Sequence, residues 1–241
     1  MTVDGGRVER AVILAAGLGS RLGAAAPKPL SEIAPGRTLL SNQIELLGEC
    51  LEPDRLLVVV GHRAGDIMRA HPDLGFVNNP RYTQTNTARS LLLALELIEG
   101  VGGDVLWVNG DLYFGPGALQ RLLEHAPGRS RALVDRSTPR DEAIKYTLDD
   151  EGRIAHISKS LEDAAGEALG MNIVAEKDRA AFVEALRAVD EDDYFEAAID
   201  RCARDGACRF QAADAGPEWV REVDYPEDLE AVQEHVRKEE L

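Results

Sequence analysis

Residues 11–30 read AVILAAGLGSRLGAAAPKPL, and the character of the chain changes twice along this stretch. Residues 11–15 are all apolar, the pattern of a short strand buried on both faces. Glycines then punctuate a loop that carries Arg21, and Pro27-Lys28-Pro29 makes a rigid turn that holds a lysine. Such a loop suits a polyphosphate. Its glycines permit positive φ and close backbone approach, successive N–H groups can converge on phosphate oxygens, and Arg21 and Lys28 bring charge. The charge distribution agrees: with 43 acidic residues in 241, a 22-residue window holds about four by composition. Residues 10–31 hold none, yet contain Arg10, Arg21 and Lys28. A glycine loop after a first strand can also be a plain structural turn. A lysine fixed between prolines, with no acidic neighbour in sequence, weighs against that reading. The spacing Gly17-x-Gly19-x-x-Leu22 lacks the third glycine of a dinucleotide fingerprint, and no Gly-Lys-Ser/Thr follows to make a P-loop.

The 241 residues, 44% of them hydrophobic, suffice for one large α/β domain, and a single domain over 1–241 is the expectation. A net charge of -16 would repel nucleic acid and anionic membrane, so neither is expected as a partner. Cys50, Cys202 and Cys208 are odd in number and lack C-x-x-C spacing, which fits reduced thiols in a cytoplasmic protein. The first ten residues have no apolar leader core, and no apolar run is long enough for a membrane span.

Strand and helix signals alternate downstream of the loop. Residues 38–51 show helical spacing, 55–60 are a buried strand ending at Gly61, 64–70 a short helix and 75–77 another strand. The segment 78–86 (NNPRYTQTN) is a long loop, and 87–98 a helix capped by Asn86 or Thr87. A buried strand at 104–108 ends in Asn109-Gly110-Asp111, and Pro116 can start a helix through His125. From residue 131 the strands shorten: 131–135, 144–148, 153–157 with a hairpin turn at 149–152, and 166–174. Helices at 178–188 and 194–205, strands at 208–212 and 219–222, and a helix from Pro226 complete the chain. The expected fold is therefore α/β, a doubly wound, mixed but mostly parallel sheet with a small substrate-side β portion. Its nucleotide-binding half covers about 1–130 and its acceptor half about 131–241.

Ligands of such sheets sit at the carboxyl ends of the strands. Asp111 follows a strand at that edge, where a carboxylate can hold Mg²⁺ against a triphosphate; it also reads as a turn residue or helix cap. Asp224, in Glu222-Val223-Asp224-Tyr225-Pro226, could share the same ion, or cap the helix that Pro226 opens. Tyr113, Phe114, Tyr146 and Trp219 are either core or part of an aromatic cage for a cationic head group.

Residues 14–22 followed by Pro27-Lys28-Pro29-Leu30 resemble the signature L-A-A-G-x-G-S/T-R-L/M…P-K-P/A-L of nucleotidyltransferases that join a nucleoside triphosphate to a sugar phosphate or small phosphorylated alcohol. Gln43, Val60-Gly61-His62, Asn109-Gly110-Asp111 and Glu222-Val223-Asp224 fall in that family's order, so the resemblance covers nearly the whole chain. Asn79-Pro80-Arg81-Tyr82, Thr85-Asn86 and Ser90-Leu91 are similar to the phosphocholine and phosphonate cytidylyltransferase branch. Asn86-Thr87-Ala88 is also close to the Gly-Thr-Ala segment of sugar-1-phosphate enzymes, and His62 stands where the family has an aromatic residue.

The resemblance implies roles for individual residues and a Rossmann-like nucleotidyltransferase fold. Leu14, Ala15, Ala16, Gly17, Gly19 and Ser20 would cradle base and phosphates, with Asn86 and Thr87 reading the base. Arg21 would bind the β and γ phosphates and Lys28 the α phosphate. Asp111 and Asp224 would share Mg²⁺, and Lys145, Lys159 and Glu167 would meet the acceptor. It implies CMP transfer from CTP to a phosphocholine- or 2-aminoethylphosphonate-like acceptor, with pyrophosphate released. Sugar-1-phosphate transfer from UTP, dTTP or GTP, and a non-catalytic nucleotide sensor, are the alternatives. A homodimer is left open.

Overall fold

A computed structural model describes residues 7–22, 26–126, 128–140 and 142–239. Parts of two sequence readings, the leaderless start (residues 1–6) and the phosphate-loop stretch (residues 23–25), lie outside the described residues. In chain order the elements are β1 (Val8–Ala15), β2 (Glu32–Ala34), β3 (Arg37–Thr38), α1 (Leu39–Gly48), β4 (Leu56–Val60), α2 (Ala64–Ala70), β5 (Gly75–Asn78), α3 (Thr87–Leu97), β6 (Asp104–Asn109) and β7 (Leu112–Phe114). Then come α4 (Pro116–Glu124), β8 (Arg131–Asp135), β9 (Lys145–Leu148), β10 (Ile154–Ser158), β11 (Gly166–Val174), α5 (Glu176–Ala188), α6 (Phe195–Asp205), β12 (Gln211–Asp214), β13 (Val220–Glu222) and α7 (Pro226–Glu239).

The apolar run of β1 is buried because it sits inside the sheet, parallel to β4 on one side and β6 on the other. The main path is β10-β9-β11-β6-β1-β4-β5, with β8 on β11 and β12 on β8. Among the described residues, six of the other eight strands run with β1, and β10 and β11 run against it. The sheet is thus mixed and mostly parallel, as the alternating pattern predicts. β11 joins strands of the N-terminal half to those of the C-terminal half, pairing with β6, β8 and β9.

Strand side chains alternate between the two faces, so β1 feeds two cores at once. Val12 and Leu14 pack with α3, α5 and α6 residues such as Leu91, Phe182 and Phe195, while Ala11, Ile13 and Ala15 pack with Leu40, Leu47 and Leu119 of α1 and α4. That is the doubly wound arrangement. Two small elements were not expected from the sequence, the β2–β3 hairpin and β7, which pairs antiparallel with β13. The strand expected at 208–212 begins instead at Gln211. Cys208 and Phe210 owe their apolar signal to burial in the Trp107 core from an irregular segment. Tyr113, Phe114 and Tyr146 are likewise core side chains, at most 3% exposed.

Trp107 is fully buried and touches three rings, stacked on Phe182 at 5.2 Å and edge-on to Phe195 and Phe210 at 5.5 and 6.1 Å. Its Nε1–H has no hydrogen-bond partner among the described residues. Trp107→Ala is expected to lower stability by about 3–5 kcal/mol, whereas Trp107→Phe removes the unpaired donor and costs less than about 2 kcal/mol. Urea unfolding of both variants checks the difference.

Candidate active site

The carboxyl ends of β1 and β6 are level, with Leu14 opposite Asn109, and a cleft of about 470 Å³ opens above them. Leu14, Ala15, Gly17, Leu18 and Gly19 line one wall. Ala16 is buried beneath it, and Ser20 opens a single 3₁₀ turn. The two signature glycines differ in what they do. Gly19 has φ +59°, and a Cβ there would lie 2.9 Å from the Lys28 Cβ. Gly17 has nothing within 4 Å of its virtual Cβ, so it leaves open space above the backbone.

Lys28 begins a second 3₁₀ turn, closed by Leu30 N–H donating to the Pro27 carbonyl at 2.8 Å and Ser31 N–H to Lys28 at 3.0 Å. Its ammonium donates to Asp111 Oδ2 at 2.9 Å and Asp224 Oδ1 at 2.7 Å, and the side chain is only 10% exposed. Burial alone would lower the Lys28 pKa; Asp111 and Asp224 outweigh it and leave it raised. Arg21 is more open, its Nη1 3.5 Å from Asp224 Oδ2 and its guanidinium 6.0 Å from the Tyr225 ring centre. The acidic partners that sequence neighbours did not provide come from 83 and 196 residues away.

Several buried contacts hold these carboxylates in place. The side chain of Gln43, fully buried on α1, donates to the carbonyls of Asn109 at 2.9 Å and Leu112 at 2.7 Å and so braces the Asn-Gly-Asp loop. Gly110 lets that loop run close to β1, since a Cβ there would come within 2.9 Å of the Leu14 carbonyl. Val223 N–H donates to the Asp111 carbonyl at 2.9 Å, tying the two acidic segments together. Asp224 does not cap α7. Asp228, in the first turn of α7, accepts from the N–H groups of Asp224 at 3.0 Å and Tyr225 at 2.9 Å and fixes the chain entering the helix, while the Asp224 carboxylate meets Lys28. Asp111 is not a cap either, because Gly115 occupies that position before α4.

Glu222 joins them. Oxygens of Asp111, Glu222 and Asp224 lie within 4.8 Å of one another, and Asp111 Oδ1 is buried with no hydrogen-bond partner among the described residues. The Glu222 carboxyl is pushed up to about 7, first by burial and then by repulsion from Asp111 and Asp224. Three hard oxygen donors with one unsatisfied atom suit Mg²⁺ better than a softer metal. The sequence reading passed over Glu222, although its position two residues before Asp224 puts both on one face of an extended segment.

The remaining site residues divide. Asn86 caps α3, its side-chain oxygen accepting from Thr87 N–H at 2.9 Å, and both residues line the cleft. Thr87 Oγ1 also accepts from Phe195 N–H at 3.1 Å, joining α3 to the start of α6. Lys159 lines the cleft and its Nζ lies 4.8 Å from the Tyr194 ring centre. Lys145 opens β9, opposite Ser158 and Glu167, and is not among the cleft-lining side chains. Glu167 is buried beneath the cleft, accepting from the backbone N–H and Nε of Arg140 at 3.2 and 3.3 Å; Arg140 is the member that faces the cleft. Arg140, Tyr194 and Glu196 are lining residues that the sequence reading did not select.

A family model described as the MobA-like NTP transferase domain matches residues 11–189. The chain belongs to that family. Among curated relatives of this NTP transferase, the CMP-5'-(3-aminopropyl)phosphonate synthase of Streptomyces rubellomurinus is 37% identical over 53% of the chain, and the bifunctional protein GlmU of Acaryochloris marina 35% identical over 46%. The matched parts span only 21% and 24% of those proteins. Among solved structures, the inositol-1-phosphate CTP transferase of T. maritima superposes with a TM-score of 0.77 at 20% identity, covering 97% of this chain and 98% of its own. The CTP:phosphocholine cytidylyltransferase LicC of Streptococcus pneumoniae gives 0.72 at 19%, covering 95% and 99%. These superpositions establish the shared Rossmann-like nucleotidyltransferase fold.

Gly19→Ala is expected to cost roughly 1–2 kcal/mol through its left-handed φ, with a further loss from the Lys28 clash. Gly17→Ala, with open space and no such φ, should change stability by less than about 1 kcal/mol in either direction. Thermal and urea unfolding of the pair separates the two glycines.

Proposed function

We propose that the chain transfers CMP from CTP to a small phosphorylated alcohol or phosphonate, releasing pyrophosphate. The observation that carries this reading is the Lys28 ammonium held 2.9 and 2.7 Å from two carboxylates at the mouth of the Gly17–Gly19 loop. Such a site binds triphosphate by charge and by backbone amides, not by a Walker-type loop. The relative named for a CMP-phosphonate and the two CTP-using structural neighbours support the cytidylyl assignment and the acceptor class. The GlmU relatives favour the second reading, sugar-1-phosphate transfer from UTP or another triphosphate.

In this mechanism an acceptor oxygen forms a bond to the α phosphorus as the bridging bond to the β phosphate breaks, and pyrophosphate leaves with the electron pair. The acceptor phosphate or phosphonate is already substantially ionised near neutral pH, so no side chain is needed to remove a proton. Lys28 moves its charge from the carboxylates onto the α phosphate, and Arg21, the more exposed cation, holds the β and γ oxygens. Asp111, Glu222 and Asp224 would hold Mg²⁺, which supplies positive charge to the phosphate oxygens and relieves the repulsion among the three carboxylates. Asn86, its side-chain oxygen committed to capping α3, has its amide NH₂ to offer a pyrimidine carbonyl.

Lys28→Ala and Asp111→Ala are each expected to lower turnover by about 10² or more, the scale of one lost transition-state charge contact. Glu222→Gln should weaken Mg²⁺ dependence, raising the concentration needed for half-maximal rate by about tenfold. The substrate reading is checked by pyrophosphate release with each of the four triphosphates, crossed with phosphocholine, 2-aminoethylphosphonate and glucose-1-phosphate. The highest rate is expected with CTP and one of the first two acceptors. Release only with UTP or dTTP and the hexose phosphate overturns it, and nucleotide binding without release from any pair favours a sensor.

A further inference from the structure

Two acidic cleft-lining residues, Glu142 and Glu196, have no role in the mechanism above; Glu142 is exposed and Glu196 buried. Glu196, in the first turn of α6, lines the cleft yet is only 6% exposed, and its Oε2 has no hydrogen-bond partner among the described residues. An unsatisfied carboxylate oxygen in such a place costs free energy until a donor arrives. Burial raises its carboxyl pKa to about 8, against a hydrogen bond from its own backbone N–H and the charge of Lys159, with Glu222 adding to the shift. Beside it, Tyr194 presents a ring 41% exposed, and the Lys159 ammonium rests 4.8 Å from the ring centre, so this corner already accommodates a positive charge.

We infer that Glu196 is the specificity residue that reads a protonated primary amine on the tail of the acceptor, so that aminoalkyl phosphonates or phosphates are preferred to trimethylammonium and uncharged ones. This rests on the acceptor class given under Proposed function. A quaternary ammonium has no N–H to give an orphaned carboxylate oxygen, and it binds through a cage of aromatic faces. Tyr194 is the only aromatic side chain among the described cleft-lining residues, and a lysine already stands over its ring. A primary ammonium offers three N–H donors and a charge that matches an ionised Glu196. An ammonium brought beside Glu196 supplies donors to its unpartnered oxygen, so neither charge is buried alone.

The test uses the full chain with Mg²⁺, the four triphosphates and four acceptors: 2-aminoethylphosphonate, its N,N,N-trimethyl form, ethylphosphonate and glucose-1-phosphate. The unsubstituted protein should favour 2-aminoethylphosphonate over the other three. In Glu196→Gln, which keeps the shape of the side chain, the kcat/KM ratio of 2-aminoethylphosphonate to ethylphosphonate should fall about 10- to 100-fold, the scale for losing a charged hydrogen bond, with most of the change in KM. Glu196→Ala should abolish the same preference. A structural role would lower both acceptors together and leave the ratio unchanged; that result overturns the inference. So does a preference of the unsubstituted protein for the trimethyl or amine-free acceptor, or turnover confined to glucose-1-phosphate. If 2-aminoethylphosphonate is the best acceptor but UTP the best donor, the cytidylyl reading falls while the role of Glu196 stands.

Discussion

Three carboxylates gathered within 4.8 Å of one another cannot all carry charge at the mouth of a cleft without a cation among them, and the Lys28 ammonium is what this chain provides. Much of the architecture serves to bring those groups together. The prolines flanking Lys28 fix the turn that presents it, Gln43 pins the loop of Asp111 from below, and Asp228 holds the backbone of Asp224 and Tyr225 at the entry to α7. Lys28 offsets part of that repulsion from within the chain, and the raised pKa of the Glu222 carboxyl reflects burial and what repulsion remains.

The loop before α3 and the segment that leads into α6 are tied together by hydrogen bonds. Thr87 receives the first amide of α6, Asn86 N–H reaches the Glu191 carbonyl at 3.0 Å, and Arg81 grips the Glu191 carboxylate with both terminal nitrogens at 2.7 and 2.6 Å. Those contacts set where Tyr194 and Glu196 stand relative to the loop expected to read the base. An exposed ion pair contributes little to stability by itself. As a geometric tie between two loops, its value lies in registration, not in energy.

Most of the elements could be read from local pattern. The apolar runs at 11–15, 55–60 and 104–108 are parallel strands buried on both faces, and their hydrophobicity follows directly from that burial. The strand expected at 208–212 starts late because a side chain can be apolar for the sake of a distant ring. Cys208 and Phe210 look like strand residues but serve the Trp107 core, and the unexpected β7 is too short to show a period before it pairs with β13. Tyr113, Phe114 and Tyr146 went to the core, while Tyr194, which carried no signal in sequence, faces the cleft.

By itself the sequence determined the alternation of strand and helix, the glycine loop with its two cations, and the two aspartates that follow strand ends, because each is written in residues close together along the chain. Only the tertiary structure decided which carboxylates meet Lys28, that Glu222 stands with them, that Lys145 lies outside the cleft lining, and that Glu196 is left with an unpaired oxygen inside it. Those facts depend on strands and loops separated by as many as 196 residues. Charge, burial and hydrogen-bond satisfaction are properties of neighbours in space, and no local pattern encodes them.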